Sequence, residues 1–191
     1  MNPAVTLTFL RLGRMQSRDA VGYAAGQFAG GLLGTLMAGA LLNRWLVDPS
    51  VSYVATLPGR WGTGWAFVAE LGISFGLMLT VLTIAGQERW ARYTGIAAGL
   101  LVATYITLES PVSGMSMNPA RTLGSAIPSM RWDALWIYFT APPLGMLLAV
   151  EVRRWLGLPH RLCAKLHHDP KYRCIFCEQR ETDASEAGGC S

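Results

Sequence analysis

The sequence predicts an all-α membrane protein: an inverted-repeat helical bundle of four spanning helices and two short re-entrant half-helices. Three observations carry this expectation. Hydrophobic residues fill 51% of the 191 positions and charged residues only 15%, whereas a soluble domain carries about a quarter charged residues. The apolar residues fall in long runs instead of alternating with polar ones. Finally, the heptad MNPAVTL at Met1–Leu7 returns as MNPARTL at Met117–Leu123, changed only where Val5 gives way to Arg121. A match this close marks an internal repeat.

The first candidate span lies between Asp19 and Arg44, where no Asp, Glu, Lys or Arg occurs; at 1.5 Å per residue it is long enough to cross about 30 Å of hydrocarbon. The second covers about 62–86 and is interrupted only by Glu70. The third covers about 93–110 and ends at Glu109, and the fourth covers about 134–152 and ends near Glu151. Basic residues sort by side. Arg11, Arg14 and Arg18 precede the first span, Arg89 and Arg92 separate the second from the third, and Arg153, Arg154, Arg161 and Lys165 follow the fourth. The opposite side carries Arg44, Arg60 and Arg131. This asymmetry is expected to place the first group and the C-terminus in the cytoplasm of an integral protein of the cell (plasma or inner) membrane. The net charge of +4 is therefore a topology signal. No basic stripe with interleaved aromatics suggests nucleic acid as a partner.

Each Asn-Pro-Ala has the chemistry of a helix start, since Asn is a favoured N-cap and Pro suits the first helical position. Asn2, with Pro3 and Ala4, opens a helix expected to run from Pro3 to about Gly13. Asn118, with Pro119 and Ala120, opens one from Pro119 to about Ala126, ending before Pro128. Neither is long enough to span. They are either interfacial helices or re-entrant half-helices whose N-termini meet near the midplane, and the latter implies a water-lined cavity. The charge pattern makes them enter from opposite sides. The repeat extends further: Tyr23, Gly30 and Leu33 match Tyr138, Gly145 and Leu148 at one offset, with Gln27 opposite Pro142.

The paired heptads, the stretch GMSMNPARTLGSA and the spans between them resemble the aquaporin, or major intrinsic protein, family of membrane channels, over about residues 1–156. The resemblance implies six spans in two inverted repeats, each of two spans, a half-helix and a third span. The second repeat is whole: Trp65–Ala85, Tyr93–Leu108, Asn118–Ala126 and Ala134–Trp155. The first begins at its half-helix and lacks the two spans that symmetry with residues 64–117 would place upstream. Met1, the counterpart of Met117, is accordingly expected to be an internal methionine of a longer chain. A bundle without those spans leaves Asn118 and Arg121 uncovered and is expected to conduct poorly by itself.

In an assembled pore, each half-helix end contributes roughly half a positive charge and unpaired N–H donors. That potential repels cations and hydronium, while neutral water accepts hydrogen bonds from the Asn2 and Asn118 amides. An Arg facing lipid costs about 2.5–3.5 kcal/mol, so Arg121 is expected to face the pore or a buried acid. The resemblance places Arg121 at the outer constriction, together with Ile106 and Met115, with a fourth contributor in the absent second span. Strict water channels of the family commonly place His where this chain has Ile106. Glycerol-conducting relatives usually have Asp where it has Thr122, and Ala126 with the pair Tyr138-Phe139 also leans toward water. The resemblance thus implies a passive channel for water or a small neutral solute, in a homotetramer. The alternative is a glycerol, ammonia or metalloid facilitator.

Glu70, inside a span, needs partners. It is either a proton or ion site or, as the resemblance suggests, an acceptor holding the backbone of the second re-entrant loop. Gly22, Gly26, Gly30 and Gly34, and again Gly95 and Gly99, are spaced for close helix packing. Trp45, Trp61, Trp65, Trp90, Trp132 and Trp136 cluster at span ends, as interfacial belts do.

Residues 157–191 turn polar and form a cytoplasmic tail with Cys163, Cys174, Cys177 and Cys190. Cys163, His167, Cys174 and Cys177, with His168 beside them, offer soft ligands at a spacing a tetrahedral zinc ion accepts. Incidental cysteines in a solvated tail are the other reading. The pore itself calls for no cofactor. A non-conducting membrane protein whose working part is this metal-binding tail is the second functional class. An enzyme is the least expected class, since no nucleophile-base pair, phosphate loop or carboxylate dyad stands out.

Overall fold

The computed structural model of the protein describes residues 2–87 and 89–157. These form six α-helices: α1 Pro3–Arg11, α2 Ser17–Leu46, α3 Gly62–Ala85, α4 Thr94–Ser113, α5 Pro119–Ser129 and α6 Leu135–Trp155. Four of them, α2, α3, α4 and α6, are long and apolar enough to cross a membrane. The two short ones begin at the Asn-Pro-Ala motifs. Each is capped by its Asn in extended backbone, φ −138° at Asn2 and −148° at Asn118, with Pro at the first helical position.

The helices pack reciprocally. Short α1 lies against α6, the long helix of the other copy, and short α5 lies against α2. α3 makes the most extensive contact of all with α6 and also packs on α4. The largest core cluster joins α1, α3 and α6 through Ala4, Phe9, Met78, Leu82, Met146, Ala149 and Val150. A second joins α3 and α6 through Ala66, Ile137, Tyr138 and Ala141. α2 and α4 present apolar side chains outward along their length, Leu41 and Ile96 among them. Such an all-round apolar surface suits lipid or neighbouring helices.

Several expectations need correction. α5 does not stop before Pro128 but runs through it to Ser129. The Ser129 hydroxyl donates to the Ser125 and Ala126 carbonyls at 2.6 and 3.2 Å, and a Schellman closure follows, with Met130 left-handed at φ 56° and Arg131 N–H on the Ala126 carbonyl at 3.2 Å. α1 ends the same way, at Gly13, φ 67°, with Arg14 N–H on the Phe9 carbonyl at 3.0 Å. α4 likewise passes Glu109 and Pro111 and ends at Gly114, φ 78°.

Arg153, expected in the flank after the last span, is 4% exposed inside α6 and donates to the Thr83 hydroxyl at 3.1 Å. It follows Met146, Ala149 and Val150 on the helix face that packs on α3, so helical period overrides its charge. The glycine stripes are not packing seams within the described residues: a Cβ at Gly22, Gly26, Gly30, Gly34, Gly95 or Gly99 would meet open space. The close approaches fall elsewhere. A Cβ at Gly124 would stand 2.7 Å from the Gly31 carbonyl oxygen, and one at Gly145 would collide with the Leu71 carbonyl.

Gly145→Val should therefore lower the melting temperature of the purified protein through an overpacking cost of about 1–3 kcal/mol or more. Gly99→Ala, which faces open space, should leave it unchanged. A thermal scan in detergent separates the two outcomes.

Candidate functional site

The N-termini of α1 and α5 meet. The Asn2 side-chain oxygen accepts from Ala4 N–H at 3.0 Å, and its amide nitrogen donates to the Met117 carbonyl at 2.6 Å. The Asn118 oxygen accepts from Ala120 N–H at 3.0 Å and Arg121 N–H at 3.3 Å. Both Asn carbonyls are thus spent on their own first turns, which turns each amide nitrogen away from its helix. The Asn2–Met117 bond ties the two motifs end to end and aligns the positive ends of both helix dipoles on one place.

The loop that delivers Asn118 is built on Glu70. This carboxylate, wholly buried, accepts from Ser113 Oγ at 2.8 Å, Ser116 N–H at 2.6 Å and Met117 N–H at 2.8 Å. Met115 and Met117 sit in left-handed backbone, φ 46° and 52°, a conformation that costs a non-glycine residue about 1–2 kcal/mol. The carboxylate bonds offset that cost by pairing buried N–H groups that would otherwise be orphaned. Tyr138 adds a further tie, its hydroxyl donating to the Ser113 carbonyl at 2.5 Å. Of the two roles open to Glu70, the geometry is that of the backbone acceptor.

Beside the motifs lies a cavity of about 440 Å³. Asn118, Ala120, Arg121 and Ser125 form its α5 wall; Gly26, Gln27, Gly30, Gly31 and Thr35 form its α2 wall; Tyr53 and Val54 close a third side. Gln27 also donates to Thr6 Oγ1 of α1 at 3.0 Å. The Arg121 guanidinium is held by the Thr56 hydroxyl, and Thr56 in turn accepts from Thr122 Oγ1 at 3.4 Å.

The predicted site residues thus fall in different places. Asn118, Ala120 and Arg121 line the cavity; Asn2 is not in its wall but bonds Met117, the residue before Asn118, with Pro3 next to Asn2 in the first turn of α1. Ala4 is in the core against α6, and Pro119 is buried. Ile106 lies exposed on α4, and Met115 packs with Ile73 and Met117; neither is in the cavity wall. Tyr53, Val54 and Thr56 are not marked in the sequence, and Gln27 is marked there only by the repeat, because only long-range folding brings them to the motif. Among the described residues no group of three or more His, Cys, Asp or Glu is placed to hold a metal. Cys163, His167, Cys174 and Cys177 lie outside the described residues.

This architecture, two opposed half-helices joined end to end beside a polar cavity, is that of an inverted-repeat membrane protein. The sequence model of the family described as "Major intrinsic protein" matches residues 1–152. Similar curated proteins include "Aquaporin NIP4-1" of Oryza sativa subsp. japonica, 38% identical over 168 residues that cover 86% of this chain and 57% of that protein. "Aquaporin A" of Dictyostelium discoideum is 34% identical over 161 residues, 82% of this chain and 57% of that protein. The chain spans about half the length of the curated relatives it matches. Among solved structures, the aquaglyceroporin from Plasmodium falciparum superposes with TM-score 0.70 at 19% identity, over 80% of this chain and 70% of that one, a likeness of fold. The chain belongs to the major intrinsic protein family, whose members are membrane channels and not enzymes.

Glu70→Ala should destabilise the protein strongly, since each buried donor left without its acceptor costs about 1–3 kcal/mol. Glu70→Gln, which keeps one acceptor oxygen, should lose less. Melting temperatures in detergent rank the three proteins, and an unchanged Glu70→Ala would refute the anchoring role.

Proposed function

We propose that the protein is a passive channel for water or a small neutral solute that excludes protons and ions. The observation that carries this is the end-to-end meeting of two Asn-capped half-helices, bonded through Asn2 and Met117, beside a cavity lined by Asn118 and Arg121. A solute arriving there meets the positive ends of two helix dipoles and the Arg121 guanidinium, which oppose cations and hydronium. A neutral molecule meets amide donors with which it forms hydrogen bonds in place of those it had in water.

In this reading Asn2, Pro3, Ala4, Asn118, Pro119 and Ala120 build the central constriction. Arg121 sets the outer one, to which the family resemblance would add Ile106 and Met115 although neither lines the cavity, and Glu70 supports the loop. Water is the favoured solute, with Thr122 in place of an Asp; glycerol, ammonia or a metalloid hydroxide is the alternative, in keeping with a structural neighbour titled an aquaglyceroporin. Residues 1–156 form the channel domain, in a homotetramer of the plasma or inner membrane. Residues 157–191 form a cytoplasmic tail whose cysteines are incidental or, in the alternative, in which Cys163, His167, Cys174 and Cys177 take up zinc. A tail-centred function without conduction is the second class, and it predicts metal binding and no flux.

Stopped-flow osmotic shrinkage of vesicles carrying the protein purified from its native membrane tests the proposal. Water flux is expected to exceed that of protein-free vesicles, without proton leak in a pH-jump assay. Arg121→Ala, expressed from the native locus, should raise proton leak and widen the range of solutes that pass. Failure of the native protein to accelerate either water or glycerol would overturn the channel function.

A further inference from the structure

Beside the Glu70 anchor lies a second shielded carboxylate for which the channel function has no use. Glu109 of α4 has both side-chain oxygens out of contact with solvent, and among the described residues neither oxygen has a hydrogen-bond partner. No basic side chain pairs with it there either. An ionised carboxylate so placed forgoes water and gains nothing in exchange, which is costly inside a membrane span. A buried polar group left in that state calls for a physical cause.

Its neighbours supply one. Glu109 faces Ser113, one turn further along α4, and Ser113 joins three elements. The Ser113 hydroxyl donates to Glu70 of α3 at 2.8 Å, and its oxygen accepts from Met115 N–H at 3.2 Å. The Ser113 carbonyl accepts from the Tyr138 hydroxyl of α6 at 2.5 Å. Two carboxylates therefore flank one hydroxyl that has a single hydrogen to give. Glu70 has the stronger claim to negative charge, because Ser113, Ser116 and Met117 all donate to it and the charge of Arg121 on α5 reaches it. Glu109 has neither a donor nor a cation.

Two carboxylates that share a site favour a state with one proton between them. We propose that Glu70 and Glu109 form a site for one proton, which resides on Glu109 and completes the anchor of the second Asn-Pro-Ala loop. The protonated acid is a donor directed at the lone pair left on Ser113 Oγ, so the Ser113 hydrogen stays on Glu70. When the proton leaves to solvent, both carboxylates compete for that one hydrogen. The loop that carries Met115, Met117 and Asn118 then loses a tie. Glu109 is in this sense a positioning residue, and the proposal does not rest on which solute passes.

The test is the pH profile of the melting temperature of the protein purified from its native membrane, in detergent, between about pH 5 and about pH 9, where exposed carboxylates stay ionised. A folded state that holds one proton more than the unfolded chain loses stability as pH rises. Across the range the native protein is expected to fall by about 2–4 °C relative to Glu109→Gln, whose amide keeps a donor toward Ser113 and cannot ionise. If Glu109→Gln is not recovered folded, Glu109→Ala removes the same titration and should show the same flattened profile from a lower starting value. At neutral pH the infrared difference spectrum, native minus variant, should contain the carbonyl band of a protonated acid. Parallel pH profiles in native and variant proteins, or a difference spectrum without that band, overturn the proposal. A native protein that passes neither water nor glycerol overturns the channel function and leaves both of these readouts in force.

Discussion

The structure depends on one buried carboxylate. Glu70 stands within α3, out of reach of solvent, and its two oxygens accept from Ser113, Ser116 and Met117. A lone carboxylate in an apolar bundle is prohibitively costly, and so is a loop of unpaired N–H groups; each removes the cost of the other. With the loop held, Met115 and Met117 stay in left-handed backbone, Asn118 is delivered at the head of α5, and the Met117 carbonyl turns toward Asn2. Without that acceptor the second half-helix has no fixed starting point, and the junction of the two motifs has nothing to close on.

Around this junction the two copies of the motif support each other crosswise. α1 packs on α6 and α5 on α2, so each half-helix is buried against the long helix of the other copy. The contact surfaces are unequal: α5 reaches α2 through bare backbone at Gly31 and Gly124, whereas α1 joins α6 through a cluster of side chains that includes Ala4, Phe9, Met146 and Val150. At the far end of α1, Arg11 pairs with Glu151 at 2.9 Å and its carbonyl accepts from Arg154 at 3.0 Å, closing the bundle on that side. The exposed pair contributes little by itself; its carbonyl bond completes a helix terminus.

Much of this was legible beforehand, and for a physical reason. Spans, caps and stop signals are local: a run of apolar residues, an Asn before a Pro, a Gly in the left-handed position at Gly13. They led to all four spans and both half-helices with ends displaced by a few residues. The misplaced ends have local causes too: Pro128 and Pro111 lie in last turns, and the helices close just after them, through the Ser129 hydroxyl on the Ser125 carbonyl and Gly114 N–H on the Ser110 carbonyl. The glycine stripes meet open space among the described residues, since spacing shows only that close approach is permitted and the neighbour that uses it is a tertiary matter.

The amino-acid sequence by itself determined the class of protein, the inverted repeat and the residues Asn118 and Arg121 that line the cavity, since each is written in local chemistry or in the repetition of a motif. Only the tertiary structure decided which helix each half-helix packs on, that Tyr138 binds the Ser113 carbonyl, that Arg153 turns inward to Thr83, and that Thr56 comes to hold the Arg121 guanidinium. Those placements bring together residues far apart in the chain. They follow from closing buried hydrogen bonds across the bundle, a condition that no single stretch of sequence states.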